Sequence, residues 1–99
     1  ALTGDTIDAT RAHQHGLVNI LCEPGEAIAT AKELAERINA NAPLAVRATR
    51  KAILDGALVP DKDGIRLAIE LFGPVATSED AKEGPLAFIE KRPPEWKAR

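Results

Sequence analysis

The sequence predicts an all-α domain of about five helices with little or no strand. Two observations carry this reading: apolar residues recur at three- and four-residue spacing through the middle of the chain, and helix-starting and helix-stopping residues bracket those stretches. "DATRAHQHG", residues 8–16, reads as a short helix with Asp8 as N-cap and Gly16 as a left-handed stop. "LVNIL" after it is a short apolar run with the look of an extended segment.

"EPGEAIATAKELAERINAN", residues 23–41, is the clearest helix. Ile28, Ala31, Leu34, Ala35 and Ile38 fall on one face, Lys32, Glu33, Glu36 and Arg37 on the other, and Glu33 and Arg37 stand at a supportive i, i+4 spacing. Pro43 suits the first turn of the next helix, since its missing N–H has no intrahelical partner there; that helix runs over 44–58 until "VPDKDG" interrupts.

A helix over roughly 63–76 is unusual in carrying two apolar stripes. At about 100° per residue, Ile65, Ala68, Ile69, Phe72 and Ala76 form one, and Leu67, Leu71 and Val75 form a second well away from it. Such a helix wants partners on two sides. Gly73 and Pro74 near its end are a candidate kink. In "TSEDAKEGPLAFIEKRPPEW", residues 77–96, Ser78 is an N-cap, and Glu79 and Asp80 face the positive end of the helix dipole. Pro85 predicts a kinked helix or two abutting turns, and Pro93 and Pro94 end it.

Of the apolar residues 18 are Ala, which leaves 25 Leu, Ile, Val, Phe and Trp to fill a core. That core is thin, so the helices are expected to lean on protein outside this chain. A net charge of −2 gives no general attraction to nucleic acid or anionic membrane, and no apolar run reaches the length of a membrane span. The lone Cys22 allows no internal disulfide and fits a reducing, cytoplasmic compartment. With no internal repeat and no composition break, residues 1–99 read as one domain.

No residue set proposes itself as catalytic. His13 and His15 are two apart and point in different directions on a helix, so no metal site is expected. Glu79, Asp80 and Glu83 resemble an acid/base set, but capping explains the first two, and Lys82, Lys91 and Arg92 are near enough in sequence to neutralise the group. Arg47, Arg50 and Lys51 make a basic edge without the aromatic stacking surface that nucleic-acid binding wants. Cys22 lacks a nucleophile's partners, and "GPVATSEDAKEG" lacks the spacing of a phosphate loop. The residues by themselves describe a helical domain that packs against more protein.

The order of short motifs says more. "LTGDTIDATRAHQHGLVN", then an amphipathic helix, then "NAPLAVRATRKAI" and "TSEDAKEGPLAFIEKRPPEW" resembles the C-terminal third of an enoyl-CoA hydratase/isomerase, of the crotonase superfamily. The matching positions are Leu2, Thr3, Gly4, Ala9, Gly16, Leu17, Val18, Pro43, Lys51, Ser78, Glu79, Asp80, Glu83, Gly84, Phe88, Glu90, Lys91 and Arg92. The resemblance implies a parent that hydrates or isomerises enoyl-CoA thioesters, with coenzyme A thioester as substrate and no cofactor. It places the oxyanion-hole amides and both catalytic glutamates upstream of Leu2, so no catalytic residue is expected here. It also implies packing on the parent's own N-terminal core and on neighbouring subunits of a trimer or hexamer. By position in "AFIEKR", Phe88 would lie against the adenine of coenzyme A and Lys91 near a nucleotide phosphate. The residues alone equally allow Phe88 in a core and Lys91 in solvent, and Pro85 departs from the family pattern where the helix should continue. An autonomous helical interaction module is the alternative, with a small nucleic-acid binder behind it.

Overall fold

A computed structural model describes residues 2–99. Five helices follow in order: α1 (Ala9–Gln14), α2 (Ala27–Asn39), α3 (Pro43–Gly56), α4 (Asp61–Ala76) and α5 (Asp80–Glu90). There is no strand among the described residues, and Leu17 to Leu21 lie outside regular structure. The all-α expectation holds. The chain divides into two compact units, one running through Glu36 and the other Arg37–Arg99.

In the first unit α1 forms as its caps dictate. The Asp8 carboxylate accepts from the Arg11 N–H at 2.7 Å. At the other end Gly16 takes a φ of 71°, and Leu17 N–H reaches back to Ala12 C=O at 2.9 Å, closing the helix through a left-handed residue that a Cβ would disfavour. α2 begins later than the periodicity suggests. Pro24 and Gly25 form a turn instead, with Gly25 at φ 93° and Glu26 N–H bonded to Glu23 C=O. Neither α1 nor α2 buries a residue, and Ile28 on the apolar face of α2 is exposed.

In the second unit α3 and α4 pack as a helical hairpin. α4 starts at Asp61, one half-turn before the expected start, because Pro60 serves as N-cap residue and its carbonyl takes the N–H groups of Asp63 and Gly64. At the turn Gly56 and Gly64 face each other, and a Cβ on Gly64 would stand 3.7 Å from Gly56 Cα.

The two stripes of α4 have different fates. Leu67, Leu71 and Val75 are half-buried, whereas Ile65 and Ile69 are 63% and 68% exposed. One stripe has found its partner within the chain. Half-burying a Leu side chain contributes about 1 kcal/mol, so the open stripe is a comparable stabilisation left uncollected. Ile53 and Leu54 on α3 are likewise exposed, and among the described hydrophobic residues only Ala48 and Ala87 are buried. The core is as thin as the composition implies.

Neither proline breaks its helix. α4 continues through Pro74 to Ala76, and α5 through Pro85 to Glu90. The reason is local: each is preceded by glycine, Gly73 and Gly84. A proline ring crowds the Cβ of the residue before it and drives that residue out of the helical region; without a Cβ the conflict is relieved. Of the two forms expected at Pro85, a kinked helix or two abutting turns, the second is not taken, since α5 runs as one helix.

Candidate functional site

The closing stretch of the chain is built on α5 and on the segment 91–99 that returns along it. Ser78 caps the helix as its type suggests: its Oγ accepts from Ala81 N–H at 3.2 Å and donates to Val75 C=O at 2.7 Å. The acids next to it do something the sequence did not disclose. Asp80 is 3% exposed, and its carboxylate accepts the N–H of Lys97 at 2.7 Å and of Ala98 at 3.0 Å. Glu83, one turn on, accepts the Glu95 N–H at 2.8 Å and both terminal nitrogens of Arg92, with Nη2 at 3.0 Å from Oε2. Glu79 pairs with Lys97 and Arg99, and its N–H donates to Arg99 C=O at 2.7 Å.

Three carboxylates in one turn and a half of helix therefore bind the returning chain as a strap. Backbone N–H groups in an irregular segment need acceptors, and carboxylates supply strong ones. Trp96 fastens the strap from the other side: its ring stacks over Gly84, and its Nε1–H donates to Ala40 C=O at 2.8 Å, a bond across 56 residues of sequence. The capping account of Asp80 is accordingly replaced by a tail-binding one, and Arg92, rather than Lys82 or Lys91, neutralises Glu83. Hydrogen bonds from Arg92 and then from the Glu95 N–H hold the Glu83 carboxyl at about 2, well below its usual 4.5. The same pairing, with Glu90 added, raises the Arg92 guanidinium above its already high value.

The sequence-level candidates sit at the end of α5. Phe88 is 84% exposed, which removes the reading that places it in this chain's own core. Lys91 is exposed and closes the helix as C-cap at φ 53°, ψ 41°, a left-handed position usually filled by glycine or asparagine. Its ammonium makes no ion pair among the described residues, while Lys91 N–H and Arg92 N–H reach back to Phe88 and Ala87 carbonyls. An aromatic face and a free cation thus stand at one helix end, three positions apart. Such a pair suits an aromatic base and an anion near it.

A cavity of about 270 Å³ runs along the strap, lined by Glu79, Asp80, Lys82, Glu83, Leu86, Glu95 and Lys97. Glu79, Asp80 and Glu83 in its wall are spent on the strap. A larger apolar groove of about 510 Å³ opens on α3, lined by Ala45, Val46, Ile53 and Leu54 with Ile38 from the end of α2. No group of three or more His, Cys, Asp or Glu side chains among the described residues could hold a metal ion, and no helix is long and apolar enough to cross a membrane. His13 and His15 are exposed, as is the free Cys22.

What sequence reasoning missed is the partnership of Asp80 and Glu83 with residues 92–98. Two signals were present: carboxylates at i, i+3 share a helix face, and Pro93–Pro94 forces the chain to leave in an extended direction. Neither fixes that the chain turns back.

Comparison with known proteins agrees with the fold. A family model described as enoyl-CoA hydratase/isomerase matches residues 1–99. An enoyl-CoA hydratase of Mycobacterium tuberculosis is 40% identical over 98 residues, covering 99% of this chain and 37% of its own length. A short-chain-enoyl-CoA hydratase of Clostridium acetobutylicum is 41% identical over 90 residues, covering 91% of this chain and 34% of the relative. A crystal structure of an enoyl-CoA hydratase from Mycobacterium tuberculosis superimposes with a TM-score of 0.93 at 47% identity, over all of this chain and 39% of that one. The chain thus spans well under half the length of these relatives, and its five helices are a helical part of the crotonase fold. With the whole chain matched by the family model and the succession of motifs intact from Leu2 to Arg92, this protein belongs to the enoyl-CoA hydratase/isomerase family.

Proposed function

We propose that the chain is the C-terminal helical part of an enoyl-CoA hydratase-like enzyme, where it serves assembly and covers bound coenzyme A. The observation that carries this reading is the apolar surface left open: Ile65 and Ile69 of one α4 stripe and the groove on α3 are exposed. Exposed stripes on that scale mark surfaces meant for other protein. They would be covered by the enzyme's own N-terminal core and by neighbouring subunits of a trimer or hexamer.

In this reading the parent hydrates or isomerises enoyl-CoA thioesters in the cytoplasm, with the thioester as substrate and no cofactor. The oxyanion-hole amides and the catalytic glutamates belong to the core, so the 99 residues alone are inactive. Phe88 lies against the adenine, and Lys91 meets a nucleotide phosphate. Support comes from the exposure of Phe88 and from the Lys91 ammonium, which has no ion pair among the described residues. In the full-length enzyme, Lys91→Ala raises KM for an enoyl-CoA ester roughly tenfold, the usual worth of one charged hydrogen bond, and leaves kcat within about twofold. An unchanged KM overturns the contact.

A further inference from the structure

The sequence motif names Lys91 but says nothing about what holds it, and the geometry around it is over-determined. Lys91 adopts φ 53°, ψ 41° although it has a Cβ, and helices that end left-handed ordinarily use a residue without that steric conflict. Something outside Lys91 must fix the conformation. On its helix side, Lys91 N–H and Arg92 N–H are tied to Phe88 and Ala87 carbonyls at 3.3 and 3.1 Å. On its far side the Arg92 guanidinium is held by both oxygens of Glu83, by Glu90 Oε2 at 2.6 Å and by Pro93 C=O at 3.2 Å. Glu83 in turn takes the Glu95 N–H.

We infer that Glu83 and Arg92 are positioning residues for coenzyme A binding: their ion pair locks Lys91 in the left-handed cap and so aims its ammonium. The inference rests on the proposed contact of Lys91 with a nucleotide phosphate. A cation at the end of a four-carbon stem is useful to a phosphate only in the fraction of conformers that point at it. A fixed backbone raises that fraction at no cost to the ligand. Arg92 is suited to the task because its planar fork meets the two carboxylate oxygens of Glu83 together, which a lysine's point charge does not. Glu79 is the natural contrast, since its exposed pairs with Lys97 and Arg99 secure the far end of the strap without touching Arg92.

The experiment is a double-mutant cycle in the full-length enzyme, read as KM and kcat for one enoyl-CoA ester. Glu83→Gln and, separately, Arg92→Lys are expected to raise KM roughly fivefold with kcat little changed, and Glu79→Gln to leave both unchanged. In a Lys91→Ala background, Glu83→Gln adds nothing further, because the group it aims is gone. Two outcomes overturn the inference: Glu83→Gln raising KM by the same factor with or without Lys91, or Glu83→Gln and Arg92→Lys leaving KM alone while Lys91→Ala raises it. Failure of the phosphate contact itself looks different, since Lys91→Ala then has no effect of its own. Should Glu83→Gln fold poorly, Arg92→Lys keeps the charge and carries the same cycle, with hydrogen exchange of residues 92–98 confirming that the clamp has loosened.

Discussion

The unit that runs through Glu36 and the α5 end of the second unit make order by opposite means. In the first, α1 and α2 bury nothing; Ala12, Thr30 and Leu34 are merely half-covered, and α1 stands on its Asp8 cap and Gly16 stop. At α5, a buried carboxylate, a doubly bonded arginine and an indole anchored on a distant carbonyl draw the helix and its strap into one body. The first region is specified by local signals and has no buried residue in its helices. The second is specified by contacts between residues far apart in sequence, and it carries its own fastening.

The largest test of that contrast is Trp96→Ala. Removing the ring uncovers Gly84 and leaves the Ala40 carbonyl without its donor. Large-to-small changes at an aromatic site of this kind cost about 2–4 kcal/mol, a figure at the low end for Trp because this ring is only half-buried. Urea denaturation followed by circular dichroism gives the loss, and hydrogen exchange gives its place: faster in 79–99 and 37–42, unchanged in α1. Uniform loosening across the whole chain would mean that the strap is not a separate fastening.

A second test uses acid. Glu83 in the folded strap keeps its charge down to about 2, whereas in the unfolded chain its carboxyl takes a proton near 4.5. A depressed pKa contributes stability that is complete above about 4.5 and disappears as the pH falls toward about 2. Trp96, the only tryptophan of the chain, reports the change, with its emission shifting to the red across that window. In Glu83→Gln the shift is already present at neutral pH. Identical acid transitions in the two proteins would show that the strap does not depend on this carboxylate.

Much of the fold was legible because its determinants are local. Asp8, Gly16, Pro43 and Ser78 act where a sequence reader puts them, since a cap or a first-turn proline needs only its own neighbours. The double stripe of α4 was legible too, one stripe half-buried and Ile65 and Ile69 of the other exposed. Three things were not. Pro74 reads as a candidate kink and Pro85 as a kink or two abutting turns until the preceding glycines are weighed against the ring, a two-residue effect that periodicity does not see. Asp80 reads as a dipole partner, and Glu83 as an acid neutralised by nearby basic residues, because the chain's return along α5 is a tertiary event. Lys91 is named by its motif, but its left-handed backbone follows from Arg92 and Glu83 and not from lysine itself.

A smaller test falls on the region held by caps. Asp8→Ala deletes the one side-chain bond that starts α1, at a cost of about 1 kcal/mol. Because α1 has no buried face to hold it, that loss should melt the helix outright, visible as fast exchange at Arg11 and Ala12 with the strap untouched.

The smallest effect is expected where the second unit packs by backbone rather than by side chain. Gly64 lies inside α4, and a methyl there would meet Gly56 O at 3.6 Å, Gly56 Cα at 3.7 Å and a Val59 methyl at 3.9 Å. All three are ordinary van der Waals separations, so Gly64→Ala should fit the hairpin without displacing it. Helix-interior alanine is favoured over glycine by about 0.5–1 kcal/mol, chiefly because the unfolded chain has less freedom to lose. The substitution therefore raises the denaturation midpoint of the second unit and leaves α1 alone. A fall would mean that the hairpin closes more tightly than these distances allow, and that α3 and α4 already hold the close fit attributed here only to α5 and its strap.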